Sequence, residues 1–444
     1  MIYINRNLGI ISVDFKLYIF LVLFFSLINP SLILLYSLFQ YSILPKLLIL
    51  KNILLFSMAF IFLTLISFAL KIKVISKSNL FLGIFYILIL NIYLLLSFFG
   101  NYFHSGTLIY YIKFITIGIS LTILTSLYIQ KFEIFNFLRV YRLIGWIIVS
   151  FGLLEYSLPI ETIWSDIIKI QSFMGDTEVD PWASVPLGQS GRFYSWDLFI
   201  ILGDKLRRLV SIYADPTLTA NVLVLLLNIF LFLPNKKFKD KLLLVFIVLS
   251  GFFTLSKFFI LSFLTSIFFY FTRLMIRNII IYTLIGALII SIVLINIFDY
   301  IPSSAHIEGL ISAFTDFQLF GRGLGQAGNY ATFSNIKPIG GESSIGSILA
   351  QIGIFSFLLI YQLNNLLNLI TLNYKKIKKI NIENKNILLF ILEVAYVTIL
   401  EFFIGLLFSE STISGTTVII TFISILPILG TIIIWINAKI NKEV

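Results

Sequence analysis

Arg208, Lys257, Arg322 and Glu342 are the side chains best suited to chemistry in a chain where charge is scarce, at 12% Asp, Glu, Lys and Arg. A guanidinium offers a planar fork that matches two phosphate oxygens, while an ammonium is a compact point charge. A carboxylate held near such cations stays ionised and can take a proton from a hydroxyl. Together these groups suit a reaction in which a hydroxyl oxygen attacks and an anionic group departs. Fixed cations stabilise the departing charge more than the ground state.

Each group sits on an element that can be read from its neighbours. Arg208 lies upstream of Asp215-Pro216, where Asp as N-cap and Pro in the first turn start a helix. It reads as an anion clamp or as an arginine snorkelling to headgroups, and Arg207 beside it shares or replaces the role. Lys257 interrupts the apolar run from Leu242 to Thr272. As one helix that run would extend about 46 Å, against a hydrocarbon core of roughly 30 Å. The expectation is two short antiparallel halves turning at Ser256-Lys257 in a water-filled recess, where a lysine calls for an anion.

The stretch LFGRGLGQAGN from Leu319 carries Arg322 among glycines. It matches the dinucleotide pattern GxGxxG in letters only, because no βαβ unit can surround it. Glycines there allow positive φ, either to expose N–H groups to an anion or simply to make a tight turn. Glu342 in GGESSIGSILAQIGIF stands at the mouth of a span, as a general base or as the complement of the positive helix end. Ser343 and Ser344 are capping candidates, and Ser343 and His306 are candidate sugar contacts. His104 reads as a loop residue, and Glu393 and Glu401 as intramembrane carboxylates that either mark an ion path or bond within the bundle. The acidic run Asp176-Thr-Glu178-Val-Asp180 lacks the glycine and distal glutamate of a calcium loop, so no metal is expected.

The surrounding sequence fixes the class. Of 444 residues 59% are hydrophobic, and mean hydropathy is +1.02, which describes an integral membrane protein with no large soluble domain. The net charge of +11 lies in short clusters between apolar runs, a positive-inside pattern rather than a nucleic-acid surface. Absence of cysteine excludes disulfides and thiolate metal sites. The first apolar run reads as a retained span, kinked at Asn29-Pro30, rather than a removed signal.

The expected fold is all-α, with about twelve spans in a single polytopic domain. They run near 17–39, 52–70, 80–99, 108–129, 140–158, 217–233, 242–255, 258–272, 279–298, 345–369, 387–408 and 416–436. Charge asymmetry puts both termini inside. Two external loops follow, 159–215 and 299–341. The first has an amphipathic start and the aromatics Trp164, Trp182 and Trp196, expected at the membrane interface. The second has Ile307, Leu310, Ile311, Phe314 and Phe317 at the spacing of a short interfacial helix.

In type and order, Arg208 with Asp215-Pro216, Thr254-Leu-Ser256-Lys257, LFGRGLGQAGN and ESSIGSILAQIG resemble the O-antigen polymerase and ligase superfamily, above all its Wzy-type repeat-unit polymerases. The resemblance covers about Arg208 to Tyr361. It implies a glycosyltransferase of the bacterial plasma membrane that needs no cofactor. Its donor and acceptor would be undecaprenyl-diphosphate-linked oligosaccharides, and a chain-length regulator protein would be a partner. By position it assigns diphosphate binding to Arg208 and the base to Glu342, where ligases of the group have histidine. Lys257 departs from the arginine common there and loses the bidentate geometry. A ligase using the same chemistry and a flippase of lipid-linked oligosaccharide remain competing readings.

Overall fold

A computed structural model describes residues 2–5, 10–39, 77–100, 103–121, 127–130, 132–176, 185–195, 204–297, 304–328, 343–379, 384–408 and 415–443. The described chain is mostly helical. Its helices are α1 (Phe15–Phe39), α2 (Lys77–Phe99), α3 (Ser105–Ile119), α4 (Ile134–Ser157), α5 (Ile170–Asp176), α6 (Pro216–Phe232), α7 (Phe238–Phe253) and α8 (Lys257–Thr272). They continue as α9 (Ile279–Ile297), α10 (Ser304–Thr315), α11 (Ser344–Ile352), α12 (Ser356–Lys379), α13 (Lys385–Phe408) and α14 (Gly415–Glu443). Helix falls on every expected span except 52–70, which lies outside the described residues. Among the described residues, 5 helices are long and apolar enough to cross a membrane, which marks a membrane-embedded protein.

Three departures from the sequence expectation have physical causes. Strands β1 (Ile2–Asn5), β2 (Ile10–Asp14) and β3 (Leu127–Gln130) form a small sheet, so the fold is not purely helical. β1 runs antiparallel to β2 with Ile2 opposite Val13, and β2 runs parallel to β3 with Ile11 opposite Leu127. The span expected over 108–129 therefore ends in a strand, because a short apolar run does not by itself distinguish the two states. Trp164, expected at the interface, is 1% exposed, inside a π-helical turn over Glu161–Ile167. The tenth span is interrupted: α11 ends at Gly353 (φ 57°), a 3-10 turn covers Gly353–Phe355, and α12 restarts at Ser356.

The chain divides into two compact units. One comprises Phe15–Ile61 with Glu133–Ser266, and the other Met1–Asp14, Phe62–Phe132 and Ile267–Val444; one of the crossings between them falls within α8. In the first, α4 packs on α7 and α6 on α7, and a polar loop carrying the two-residue strands β4 (Tyr194–Ser195) and β5 (Leu206–Arg207) caps the helices. A cluster of Trp164, Ile163, Phe173, Phe193, Tyr36 and Ile33 buries the underside of that loop.

In the second unit α12 packs against α13, α10 against α11 and α2 against α3. The glycine-rich turn docks on the break in the α11–α12 span. Arg322 N–H donates to Ala350 O (2.9 Å), Gly323 N–H to Gln351 O (3.0 Å) and Ile354 N–H to Leu319 O (2.9 Å). A Cβ on Gly353 would lie 2.3 Å from Leu319 O, and one on Gly321 (φ +69°) 2.3 Å from Gln351 O. Only glycine permits this backbone-to-backbone approach. Gly353→Ala is therefore expected to cost about 2–3 kcal/mol from left-handed strain plus the clash. Gly286→Ala, in α9 with nothing within 4 Å, should be neutral or stabilise by up to ~1 kcal/mol. Melting curves of the two purified variants check the contrast.

Candidate functional site

The loop before α6 is built on a carboxylate. Glu155 of α4 is 1% exposed and accepts from Trp164 Nε1 (3.0 Å), Val210 N (2.9 Å), Ser211 N (3.4 Å) and Arg207 NH2 (3.4 Å). A buried charge needs this many partners. Arg207 also donates to the carbonyls of Leu158 and Glu155, and lies over the Tyr156 ring at 5.6 Å. Its guanidinium is thus part of the loop's foundation. Ser211 Oγ adds a bond to Ile148 O (2.6 Å) on the same helix.

Successive residues of an extended segment face opposite ways, and Arg208 accordingly leaves Glu155 behind. Its Nε donates to Thr254 O and its NH1 to Gly191 O, both at 3.0 Å. Two backbone bonds support the same join, Arg208 N–H to Phe193 O (2.8 Å) and Leu209 N–H to Phe253 O (2.9 Å). Arg208 therefore bridges the 191–193 turn and the turn Thr254–Ser256, which leads directly into exposed Lys257 at the start of α8. The chain does break there as expected: α7 and α8 are each 16 residues, about 24 Å, shorter than a full span.

Arg192 is a cation that the sequence alone did not single out. Its NH1 donates to Ala214 O (3.2 Å), and its charge acts on Asp215. Asp215 caps α6 as expected, its Oδ1 accepting from Thr217 N–H (2.8 Å), Thr217 Oγ1 (2.6 Å) and Leu218 N–H (3.0 Å), with Pro216 in the first turn. Burial alone would raise the Asp215 pKa. Arg192 and these hydrogen bonds outweigh it and hold the carboxyl below its ordinary value of 3.8.

In the other unit the glycine-rich turn uses its N–H groups internally. Beside the bonds to the helix break, Gly321 N–H donates to Gln318 O (2.9 Å) and Gly325 N–H to Gln351 Oε1 (2.8 Å), while Gln351 Nε2 donates to Ala327 O (3.0 Å). Of the two sequence readings, the geometry is that of a packed turn rather than an anion-binding nest. Arg322 is half-buried, and its Nε has no hydrogen-bond partner among the described residues.

The turn also meets the start of α3. Thr107 Oγ1 donates to Leu324 O (3.1 Å), and Tyr93 of α2 donates to Phe320 O. His104 is more than a loop residue. Its Nδ1 accepts from Gly106 N–H (3.1 Å) as the N-cap of α3, and its Nε2 lies 3.3 Å from Gln326 Nε2. With Nδ1 accepting, the neutral ring carries its proton on Nε2. Burial, countered in part by a bond to the Gly325 backbone, lowers the His104 pKa and favours that neutral form. The signal was present in His-Ser-Gly-Thr ahead of an apolar run, with Thr107 completing a capping box.

Ser343 is the N-cap of α11, fully buried, its Oγ accepting from Gly346 N–H (3.1 Å). Glu342 lies outside the described residues, as do Glu178, Asp180, Trp182 and Trp196. His306 is placed on α10 by its backbone. Glu393 is paired with Arg273 and accepts from Tyr374 OH (3.0 Å), the intrabundle bonding that was one of its two sequence readings. Among the described residues no three His, Cys, Asp or Glu side chains cluster as a metal site. Neither a protein-family model nor a curated protein sequence matches the chain.

Replacing Glu155 by Gln would leave Arg207 without its counter-charge, with an expected loss of about 3 kcal/mol. Thermal unfolding of the variant in detergent measures it. Asp215 should make stability fall in acid. Its folded pKa is depressed, so its contribution is complete above the unfolded value of 3.8 and drains as pH drops through the folded one. The stability difference between the wild type and Asp215→Asn, followed against pH, should shrink in that range.

Proposed function

We propose that the protein is a glycosyltransferase of the bacterial plasma membrane. It would join undecaprenyl-diphosphate-linked oligosaccharide repeat units into a cell-surface polysaccharide on the outer leaflet, across about twelve spans with both termini cytoplasmic. The observation that carries the reading is Arg208. It ties the 191–193 turn to the turn before Lys257 through carbonyls of Gly191 and Thr254. A guanidinium held at two edges by backbone carbonyls is already oriented, so no ordering cost falls on the reaction step.

In this reaction a sugar hydroxyl of the acceptor attacks the anomeric carbon of the donor. The new carbon–oxygen bond forms as the bond from that carbon to the diphosphate oxygen breaks, and lipid diphosphate leaves with the electron pair. Glu342 takes the hydroxyl proton. Arg208 and Lys257 stabilise the diphosphate charge, and a single displacement inverts the anomeric centre. The donor already carries the bond energy, so the scheme calls for no nucleotide. Arg207, built into the Glu155 knot, supports the loop in this scheme rather than binding substrate directly.

The test uses full-length protein reconstituted with lipid-linked repeat units extracted from its host. Wild-type protein should yield a ladder of chain lengths, whereas a ligase or flippase would leave single units. Arg208→Ala should lower chain growth at least 100-fold, equivalent to about 3 kcal/mol of transition-state stabilisation. Glu342→Gln should retain donor yet fail to elongate. Normal ladders from either variant would remove the role assigned to that residue.

A further inference from the structure

The glycine-rich turn and the start of α3 are joined at one titratable ring. His104 Nδ1 accepts from Gly106 N–H (3.1 Å) and His104 O from Thr107 N–H (3.0 Å), so the residue closes the first turn of α3 with both side chain and backbone. His104 N–H donates to Thr107 Oγ1 (3.4 Å) and completes the capping box. Thr107 Oγ1 in turn donates to Leu324 O (3.1 Å), and His104 Nε2 lies 3.3 Å from Gln326 Nε2. A Cβ on Gly325 would fall 2.6 Å from Thr107 N. The turn therefore rests directly on the helix end that His104 shapes.

That cap depends on the charge of the ring. A neutral imidazole keeps one nitrogen free to accept, whereas the imidazolium donates from both. Once Nδ1 carries a proton it can no longer take the Gly106 N–H, and two N–H groups oppose each other. The added charge also sits at the positive end of α3. Nε2 donates in both forms, so the whole change falls on the cap. Charged groups on the elements that meet here do not offset it. Arg322 on the turn and Lys113 on α3 are cations. α11 carries no charged residue, α14 carries none from Gly415 to Ile433, and α2 offers only tyrosines beyond Lys77 at its far end. Asp316 is exposed on the approach to the turn. Among the described residues no carboxylate bonds His104, whose half-buried ring has its pKa lowered by burial, against a Gly325 backbone bond that raises it.

We propose that His104 is a proton-operated latch: neutral, it pins the glycine-rich turn to α3, and protonated, it uncaps α3 and releases the turn. The folded pKa lies below the unfolded value of 6.5. The latch is therefore fully closed above that value and opens as pH falls through the folded one. Asp215, held below 3.8, keeps its charge across this window. On the expected topology, with the N-terminus inside, the segment before α3 and the 299–341 loop both face outward, so the latch answers external pH. Nothing in it depends on the reaction proposed above.

The chain has no cysteine, so one introduced thiol reports alone. Leu324 is fully buried in the turn and Leu319 is 53% exposed beside it. Full-length Leu324→Cys and Leu319→Cys proteins in detergent are reacted with a neutral aromatic disulfide from about pH 7.5 to about pH 5, across the histidine range. Dividing the first rate by the second removes the pH dependence of the thiol itself. The ratio should rise about threefold or more on acidification, the size of a lost cap, with its midpoint below 6.5. Asparagine caps helices but does not titrate, so His104→Asn should hold the ratio low and flat, while His104→Ala should raise it at both ends. The other histidine is His306, and His306→Asn should leave the rise intact. A flat ratio with His104 in place would overturn the latch without any histidine variant, so misfolding of one could not rescue it. A rise that survives His104→Asn, or vanishes with His306→Asn, would overturn it equally.

Discussion

No backbone N–H or C=O can be left unpaired at membrane depth, and this constraint organises the chain. The α11–α12 break shows how it is met. A helix that stops at Gly353 leaves carbonyls at Ala350 and Gln351 without helical partners, and the glycine-rich turn supplies N–H groups to both. Ile354 returns a bond to Leu319, so the turn and the break pair like two short strands. The side chain of Gln351 finishes the join by donating to Ala327 and accepting from Gly325. Glycine at 321 and 353 is the condition for this closeness, since each would otherwise place a Cβ on the opposing backbone. The 273–278 segment meets the same constraint with the Tyr396 hydroxyl and three asparagine amides.

Charge follows a parallel rule. Described carboxylates buried in the protein are engaged: Glu155 by four donors, Asp240 by both forks of Arg142, and Glu393 by Arg273 and Tyr374. Such pairs do not necessarily add stability over apolar packing, but losing one member is expensive, and that fixes their geometry. Glu155 sets the register of the loop. With Arg207 held on one face by Glu155, the alternation of an extended chain sends Arg208 to the other. The placement of Arg208 therefore rests on the burial of its neighbour.

Much of the scaffold was legible because apolar length and punctuation are local signals. Asp215-Pro216 predicted a capped helix and made one, and the excess length of the Leu242–Thr272 run required the break found at Thr254–Ser256. Legibility ended where a partner distant in sequence decided the outcome. Leu127–Gln130 reads as the tail of an apolar run until β2 pairs with it. Trp164 reads as interfacial until Glu155 claims its indole N–H. The interruption at Gly353 needed the turn at Gly321 to show that the helix stops there. Of the candidate site, the neighbourhood of Arg208 and Lys257 was readable. Arg192 was not, because its role depends on the Ala214 carbonyl and the Asp215 charge that the fold brings to it, whereas the His104 cap was signalled by His-Ser-Gly-Thr ahead of an apolar run.

The internal pairing of the glycine-rich turn bears on how any anion could be held. A nest of free amides binds a phosphate through an array of fixed partial charges. Here the amides of Gly321, Arg322, Gly323 and Gly325 are already bonded, so the turn offers no such array through them. Arg208 keeps its orientation through Thr254 and Gly191. Lys257, exposed on a four-carbon stem, has no comparable fork and contributes a point charge. Attraction between full charges is strong where water is excluded and weak where it is not, because it scales inversely with the local dielectric.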